Sequence, residues 1–329
     1  MSFILRRLAF YVVAAWVAIT LNFFIPRAVP GNPVQTILSK YPDLTPEAYK
    51  ALSQMIGGAL QKGSLWSQYT AYLSDVFHFN FGTDLANFPT PVSQILSQAI
   101  PWTLILVGTA TVIAFLLGTL LGILAGWRHG GALDRSLPLL MFLQAAPYFF
   151  VALILVYFFA LKGGWLPSAQ GYSAQDVSPG WNWAFISNAV EHSILPAGTI
   201  VLTSVAGWML QMRNVMITTI SEDYVVAAQA KGLSQSRIIY TYAARNALLP
   251  QLQGFGLALG FVVSGALIME IVFSYPGIGY LLLEAVQNKD LPLMQAIFLV
   301  ITFAVLVANL VVDLIIVFFD PRARAREAA

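Results

Sequence analysis

The chain contains no cysteine and only three histidines among its 329 residues. Without cysteine there can be no disulfide, no thiolate metal site and no thiol nucleophile. His78, His129 and His192 are far apart in the sequence, and neither the H-E-x-x-H nor the G-x-S-x-G pattern occurs. We therefore expect no catalytic centre, no metal site and no cofactor-binding site in this chain.

Charged residues are also scarce. They make up 10% of the chain, and 58% is hydrophobic, whereas a soluble domain carries about 25% charged residues. Six uncharged, mostly apolar runs are each long enough to cross about 30 Å of hydrocarbon as a helix. The runs are residues 8–25, 101–127, 136–161, 193–212, 246–269 and 291–312. The sequence thus predicts an all-α integral membrane protein with six transmembrane helices.

The distribution of Lys and Arg predicts the orientation, because these residues are enriched in cytoplasmic loops close to membrane spans. If the amino terminus is inside, eleven of the 17 Lys and Arg residues fall on the cytoplasmic side. They are Arg6, Arg7, Arg128, Arg135, Arg213, Lys231, Arg237, Arg245, Arg322, Arg324 and Arg326. Both termini are therefore expected in the cytoplasm.

This topology divides the chain into four regions. Residues 1–26 form an amino-terminal tail and the first span, and residues 27–100 form a long extracytoplasmic loop with short helices. Residues 101–319 form the membrane core with spans two to six, including a cytoplasmic loop at residues 214–246. Residues 320–329 form a cytoplasmic tail.

Two helices are predicted within the long extracytoplasmic loop. Thr45-Pro46-Glu47 is typical of a helix start, with a capping residue, a first-turn proline and a favourable negative charge. Between residues 65 and 77, apolar side chains recur at helical spacing and form one face. This face either packs on the membrane and the spans or serves as a docking surface for another protein, and the spacing leaves both interpretations open.

The most extended polar stretch on the cytoplasmic side lies between spans four and five. Ser221 has the side chain of a helix cap, and Glu222 and Asp223 would place negative charge at the positive end of a helix. Gly232 would end this helix, since glycine adopts the left-handed backbone conformation at low cost. A second short helix is expected to follow before span five.

Three small residues distinguish the first of these two helices. Ala227, Ala228 and Ala230 would let a partner approach the helix backbone closely, and Tyr224 and Lys231 add an anchor and a charge at its ends. One interpretation is a lever seated in a groove on another protein. The alternative is an ordinary amphipathic loop helix lying on the membrane, and the spacing alone does not separate the two.

Short motifs occur in this segment and at other places along the chain. The motifs are E-D-Y at 222–224, A-x-A-K-G-L-S at 228–234, R-N-A-L-x-P at 245–250, P-G-N-P at 30–33, E-x-V-F-x-Y-P-G-I-G at 270–279, N-L-x-V-D at 309–313 and D-P-R at 320–322. In this order they resemble the B-type permease subunit of dipeptide and oligopeptide ABC transporters, and the segment around Gly232 resembles the ATPase-coupling loop of that family. Val226 stands where the glutamate of the wider EAA motif would be.

The resemblance implies the fold of a type I ABC importer permease with a cytoplasmic coupling helix between spans four and five. The coupling residues would be Glu222, Asp223, Tyr224, Ala227, Ala228, Ala230, Lys231, Gly232, Leu233 and Arg245. It also implies a second permease subunit of C type, two nucleotide-binding ATPase subunits and an extracytoplasmic solute-binding protein, in a bacterial or archaeal cytoplasmic membrane. No nucleic acid is expected as a partner.

The chain has no G-x-x-x-x-G-K-[ST] phosphate loop. ATP and Mg are therefore expected on the partner subunits, and this chain is not expected to be an enzyme. Short peptides are the solutes that the resemblance implies first, followed by oligosaccharides and then nickel complexes. An ion-coupled secondary transporter is a further alternative, although such proteins usually carry ionisable residues at mid-membrane.

Two carboxylates lie near the ends of predicted spans five and six. At such positions Glu270 and Asp313 cost less than the ~2.5–3.5 kcal/mol of a charge at the bilayer centre. Both are candidates for the solute path. In the structural alternative, Glu270 would hold the turn at Tyr275-Pro276-Gly277, and Asp313 would pair with a cytoplasmic arginine.

Overall fold

The computed structural model describes residues 3–28, 33–39, 45–59, 63–260, 262 and 267–319. In the amino-terminal part the helices are α1 (Phe3–Arg27), α2 (Pro33–Leu38), α3 (Pro46–Ala59), α4 (Leu65–Phe77), α5 (Val92–Trp127), α6 (Ala132–Arg135), α7 (Leu137–Ala145) and α8 (Tyr148–Leu155), the last continued by a π-helical segment (Val156–Lys162). Then come α9 (Trp183–Ile220), α10 (Asp223–Ala230), α11 (Gln235–Arg237), a second π-helical segment (Ile238–Ala243), α12 (Ala244–Gly260), α13 (Leu267–Val272), α14 (Ile278–Asn288) and α15 (Leu291–Phe319). The described residues contain no strand, which agrees with the predicted all-α class.

Four of these helices are individually long and apolar enough to cross a membrane, namely α1, α5, α9 and α15. A fifth candidate is the helix pair over Ala132–Ala145 and Tyr148–Lys162. The sixth predicted span, at residues 246–269, falls on α12, on α13 and on residues outside the described ranges. A helical protein with several spans is thus confirmed, and the count of six stays a prediction.

The third predicted span is not one straight helix. The sequence predicted it as an unbroken run over residues 136–161, but α7 and the helix beginning at Tyr148 meet at an angle of 99°. Ala146 has the extended backbone that a residue before proline favours, and Pro147 has no N–H to continue the helix. A single Ala-Pro step therefore breaks this span near its middle.

Helices α5 and α9 pack backbone to backbone. Gly118, Gly122 and Gly126 recur every four residues on α5 and face α9. A Cβ atom at Gly118 would lie 2.7 Å from the carbonyl oxygen of Val205, and one at Gly122 would lie 2.6 Å from that of Met209. Small residues at this spacing allow close helix approach within membranes. The packing makes α5 and α9 one rigid unit, and α9 leads directly into the segment predicted to be cytoplasmic.

The extracytoplasmic loop is partly helical, as predicted at its two marked positions. Thr45 Oγ1 accepts a hydrogen bond from the Ala48 N–H at the start of α3. The buried side of α4, with Tyr72 and Val76, packs against α1 and α15 through a cluster that includes Phe23 and Leu299. This side packs on the spans through its buried residues only, because Leu65, Trp66 and Phe77 of the predicted face are exposed. The docking interpretation stays a prediction for that exposed part.

A buried carboxylate fastens the last part of that loop to the start of α15. Asp290 Oδ1 accepts a hydrogen bond from the Leu293 N–H at 3.0 Å, within the first turn of α15. Its Oδ2 accepts hydrogen bonds from the N–H groups of Leu85 and Ala86. Asp290 thus caps a membrane helix and holds a segment more than 200 residues away.

Candidate functional site

The segment predicted as a coupling helix forms α10. The helix begins at Asp223, and its N-cap is Glu222 in an extended conformation. The prediction of Ser221 as the cap was wrong, because α9 continues to Ile220 and Ser221 ends that helix, its hydroxyl donating to the Thr218 carbonyl at 2.8 Å. The acidic first turn at the positive helix end is present as predicted.

Gly232 ends α10 through a Schellman motif. Its φ is +70°, the left-handed conformation predicted for it. The Gly232 N–H donates to the Gln229 carbonyl at 2.9 Å, and the Leu233 N–H donates to the Ala228 carbonyl at 3.4 Å. The glycine is required for its backbone conformation rather than for space, since a Cβ there would meet nothing within 4 Å.

The second predicted short helix is not separate from span five. Gln235–Arg237, the π-helical segment and α12 follow one another without a break from Gln235 to Gly260. Pro250 lies inside α12 rather than before it. The chain therefore turns at Gly232 and enters the next membrane helix directly.

One side of α10 is packed against the ends of its own membrane helices. Val225 and Ala228 are buried in a cluster with side chains from α5, α9 and the helical stretch that begins at Gln235. The other buried members are Ile123, Met212, Met216, Ile238, Ala243, Ala244 and Ala247. Helix α10 is therefore in direct contact with the end of α9 and with the π-helical segment that leads into α12.

The opposite side of α10 is exposed. Ala227 and Ala230 lie there, with Tyr224 at 39% exposure near the amino end and Lys231 at the carboxyl end. Ala228 is only 3% exposed, so its predicted place on the surface that a partner approaches was wrong. Eight of the coupling candidates are exposed. We call the six of them that lie within α10 or cap its ends the α10 outer face, namely Glu222, Asp223, Tyr224, Ala227, Ala230 and Lys231.

The remaining coupling candidates lie beside this face or away from it. Leu233 is half-buried against the same apolar cluster as Val225. Arg245 is exposed on the first turn of α12. The structure thus brings nine of the ten candidates into one continuous stretch, residues 222–233, and leaves Arg245 on the adjoining helix.

An ion pair near the carboxyl end of α9 was not predicted from the sequence. The guanidinium of Arg213 bonds both carboxylate oxygens of Asp134, and its Nη2 lies 3.1 Å from Oδ2. Asp134 Oδ2 also accepts the Gly130 N–H at 2.8 Å. His129 lies at the edge of the pair, 3.8 Å from the same oxygen. The sequence analysis uses Arg213 only as evidence for the membrane orientation. No nearby motif identifies Asp134 as the partner of Arg213.

Glu270 lies at the other end of the membrane core and is 0% exposed. Its Oε1 accepts the Thr103 hydroxyl at 2.7 Å, and its Oε2 accepts the Gly279 N–H at 2.6 Å. The Thr103 hydroxyl in turn accepts the Ile278 N–H at 2.8 Å. A Cβ atom at Gly277 would collide with this carboxylate. Glu270 therefore holds the turn before α14, as the structural alternative predicted, and in this conformation it has no access to solvent.

Asp313 is in the helical part of α15, but its side chain lies outside the described residues. The described side chains also exclude the motifs at residues 30–33 and 320–322 and the arginines at 322, 324 and 326. Among the residues that the structure does describe, no group of three or more His, Asp or Glu side chains is placed to hold a metal ion.

Comparison with known proteins gives consistent matches. The family model described as "Binding-protein-dependent transport system inner membrane component" matches residues 118–325. The chain is 34% identical to the "Probable peptide ABC transporter permease protein y4tP" of Sinorhizobium fredii, over 98% of this chain and 99% of that protein. It is 32% identical to the di/tripeptide transport system permease protein DppB of Pseudomonas aeruginosa, again over 98% and 99%. It is 27% identical to the oligopeptide transport system permease protein AppB of Bacillus subtilis, over 98% of each chain.

Proposed function

Because the chain belongs to the family of binding-protein-dependent transport system inner membrane components, we propose that it is the membrane-spanning permease subunit of an ATP-driven peptide importer. The observation that carries the proposal is the construction of α10. Its outer face is exposed, and its inner side, with Val225 and Ala228, is buried against the ends of the membrane helices. Such a helix can receive a push from a partner and pass it to the membrane core.

The mechanism follows from the contacts of α10. Closure of two ATPase subunits displaces the outer face, and the displacement passes through Val225 and Ala228 to α9 and α12. Since α9 packs backbone to backbone on α5, the two helices move together rather than bend. ATP drives the change because the partner contacts the outer face differently in its open and closed states.

The Arg213–Asp134 ion pair extends this rigid unit. It ties α9, ten residues before α10 begins, to the short helix that precedes α7. The broken third span is thereby fastened to α9 on the side where α10 acts. We propose that this pair makes the third span follow the movement of α9.

The partners in this proposal are a second permease subunit of C type, two ATPase subunits that hold ATP and Mg, and an extracytoplasmic solute-binding protein. The chain itself hydrolyses nothing. It crosses the membrane six times, with both termini in the cytoplasm. The positions of α10, Arg213 and Asp134 on one side support this orientation, because the cationic residues cluster there.

Peptides are the proposed solutes. The three relatives described above are named as permeases of peptides, dipeptides and tripeptides, or oligopeptides. The match to each extends over nearly the whole of both chains, so it includes the extracytoplasmic loop as well as the membrane helices.

The decisive experiment places a large side chain on the outer face. Ala227→Trp should block close approach of an ATPase subunit, whereas Ala132→Trp adds the same bulk at another exposed alanine of the predicted cytoplasmic side. Both variants are co-expressed with the genomically neighbouring ATPase, permease and binding-protein subunits and reconstituted in liposomes. The measurement is ATPase activity with and without the peptide-loaded binding protein.

We expect stimulation by the loaded binding protein in the unmodified chain and in Ala132→Trp, and its loss in Ala227→Trp. If the Ala227→Trp transporter assembles and is stimulated normally, α10 is not the coupling surface. If the unmodified chain neither assembles with an ATPase nor responds to the binding protein, the importer proposal is wrong.

A further inference from the structure

Helix α9 carries a face of uncharged polar residues. Ser204, Gly207, Gln211, Asn214 and Thr218 recur at alternating steps of three and four, which places them on one side of the helix. Gln211, Asn214 and Thr218 are exposed, and Ser204 and Gly207 are half-buried. The first three belong to the apolar run at 193–212 that is predicted to cross the membrane.

A second amide side chain reaches the same face from the broken third span. Gln144 lies at the end of α7, next to the break, and its Nε2 is 2.9 Å from where a Cβ of Gly207 would stand. The Gln211 amide nitrogen lies 3.6 Å from the equivalent point at Gly254 of α12. Two separate membrane segments, α9 and α7, therefore contribute to one polar surface beside α12. We call it the amide face, and it consists of Ser204, Gly207 and Gln211 together with Gln144.

The amide face cannot be stable against lipid tails. Gln144 and Gln211 are both exposed, and neither side chain has a hydrogen-bond partner among the described residues. An unpaired amide in hydrocarbon is costly because nothing there replaces its bonds to water. The opposite side of α9 is apolar by contrast. Leu202 is 40% exposed there, nine positions from Gln211 and therefore about half a turn around the helix from it.

Close packing of a helix from another subunit against the amide face is also disfavoured. Gly207 is the point where another backbone would approach most closely. The Gln144 amide already covers it at contact distance. What remains is a surface that needs partners able both to donate and to accept hydrogen bonds.

A further glutamine contacts α9 close to the amide face. Gln251 of α12 is completely buried and donates through Nε2 to the carbonyl of Trp208, the residue after Gly207, at 2.9 Å. Its Oε1 has no hydrogen-bond partner among the described residues. A buried acceptor without a partner is uncommon in folded proteins, so this oxygen is available to a water or solute group in another conformation.

We infer that the amide face is this chain's wall of the solute path and that it binds the main-chain amide groups of a peptide. A side-chain amide donates and accepts as a peptide group does, and its lack of charge gives no preference among peptide side chains. Gln211 and Gln144 are thus the residues that position the peptide backbone in the inner half of the membrane. This inference rests on the proposed function.

The absence of cysteine makes the test direct, because a single introduced thiol is the only one in the chain. Gln211→Cys and Leu202→Cys are compared in the assembled transporter in liposomes, with a small positively charged methanethiosulfonate reagent on both sides. Labelling is measured on this chain's band after separation of the subunits. ATPase stimulation by the peptide-loaded binding protein is measured on the same liposomes.

We expect Gln211→Cys to react at least about tenfold faster than Leu202→Cys, since a thiol facing hydrocarbon does not ionise. Saturating transported peptide should slow the reaction at position 211 alone. If position 211 is as unreactive as 202 in every nucleotide state, the face is covered by a partner helix or by lipid and the inference is wrong. Stimulated ATPase activity in that same sample would show that the proposed function survives.

A second comparison measures the hydrogen bonds themselves. Gln211→Leu keeps the bulk of the side chain and removes the amide, so peptide uptake per ATP hydrolysed should fall roughly three- to tenfold. Gln211→Asn should restore part of the loss, and Leu202→Met should leave the ratio unchanged. An unchanged ratio in Gln211→Leu would overturn the role given to this residue.

Discussion

Replacing Thr103 by valine is expected to destabilise the end of the membrane core around Glu270 by about 3 kcal/mol. Valine has nearly the same shape as threonine, so the packing of this fully buried site is retained. What is lost is one hydroxyl that donates to the Glu270 carboxylate at 2.7 Å and accepts the Ile278 N–H at 2.8 Å.

The magnitude follows from the two partners that this hydroxyl leaves behind. The buried N–H of Ile278 would have no acceptor, which costs about 1–3 kcal/mol, and the Glu270 carboxyl would lose a donor that contributes a similar amount. The two losses together exceed those of an ordinary buried hydroxyl. Together they amount to about 2–6 kcal/mol. Relaxation of the turn before α14 reduces this sum, so the expected value of about 3 kcal/mol lies in its lower half.

Thr199→Val is the matched control. Thr199 is as completely buried as Thr103 and also lies in a membrane helix, but its hydroxyl only donates to the Leu195 carbonyl of the preceding turn, at 2.8 Å. That carbonyl keeps its helical hydrogen bond when the hydroxyl is removed, so we expect a change below about 1 kcal/mol.

The assay is equilibrium unfolding of the purified chain in mixed detergent micelles, with both variants measured against the unmodified protein. A difference of about 2 kcal/mol between the two variants is expected. Equal destabilisation by Thr103→Val and Thr199→Val would refute the view that Thr103 and Glu270 hold the turn.

Three further predictions concern the backbone, pH and helix packing. Gly232→Val should lower ATPase stimulation, because a β-branched residue is strained at φ +70°. Gly232→Asn should retain most of the stimulation, because asparagine tolerates this conformation. Equal loss of stimulation in both variants would contradict the conformational explanation. Burial, reinforced by the charge of Asp84, raises the pKa of Asp290 from 3.8 to about 6. The contribution of Asp290 to the free energy of unfolding is therefore complete below about pH 4 and is lost as pH rises through about 6. The expected decrease between pH 5 and 7 is about 1 kcal/mol. Equilibrium unfolding measured between pH 5 and 7 should show this decrease, and Asp290→Asn should abolish it. Gly122→Ile should separate α5 from α9 and prevent folding or assembly, since even a Cβ would lie 2.6 Å from the Met209 carbonyl oxygen. A stable transporter with stimulated ATPase activity in membrane extracts would argue against that packing.

Several features were predictable from the sequence because their causes are local. The long apolar runs predict membrane helices, since every backbone polar group must be satisfied inside a segment that crosses lipid. The helix start at Thr45 and the helix stop at Gly232 depend only on nearby backbone groups and were predicted correctly. The resemblance to peptide permeases is confirmed by matches over nearly the whole chain, and the coupling role of the segment around α10 stays a prediction.

Other features depended on residues that are distant in sequence. Ala228 and Ala227 are adjacent and chemically identical, so only the packing of α10 on α9 and α12 decides which is buried. Ser221 was mistaken for a cap because the sequence does not show where α9 ends. The Ala-Pro step at 146–147 marks a weak point in the third span, but not the angle at which its halves meet.

Composition and periodicity by themselves determined that this chain is a helical membrane protein without the residues for thiol chemistry or a phosphate loop. These properties follow from the kinds of residue present and from their spacing along one segment. Only the tertiary structure decided which polar groups meet, as when Thr103 reaches Glu270 across 167 positions or Gln144 reaches Gly207 from a broken helix. Hydrogen bonds act over about 3 Å, and that proximity is created by packing and not by sequence order.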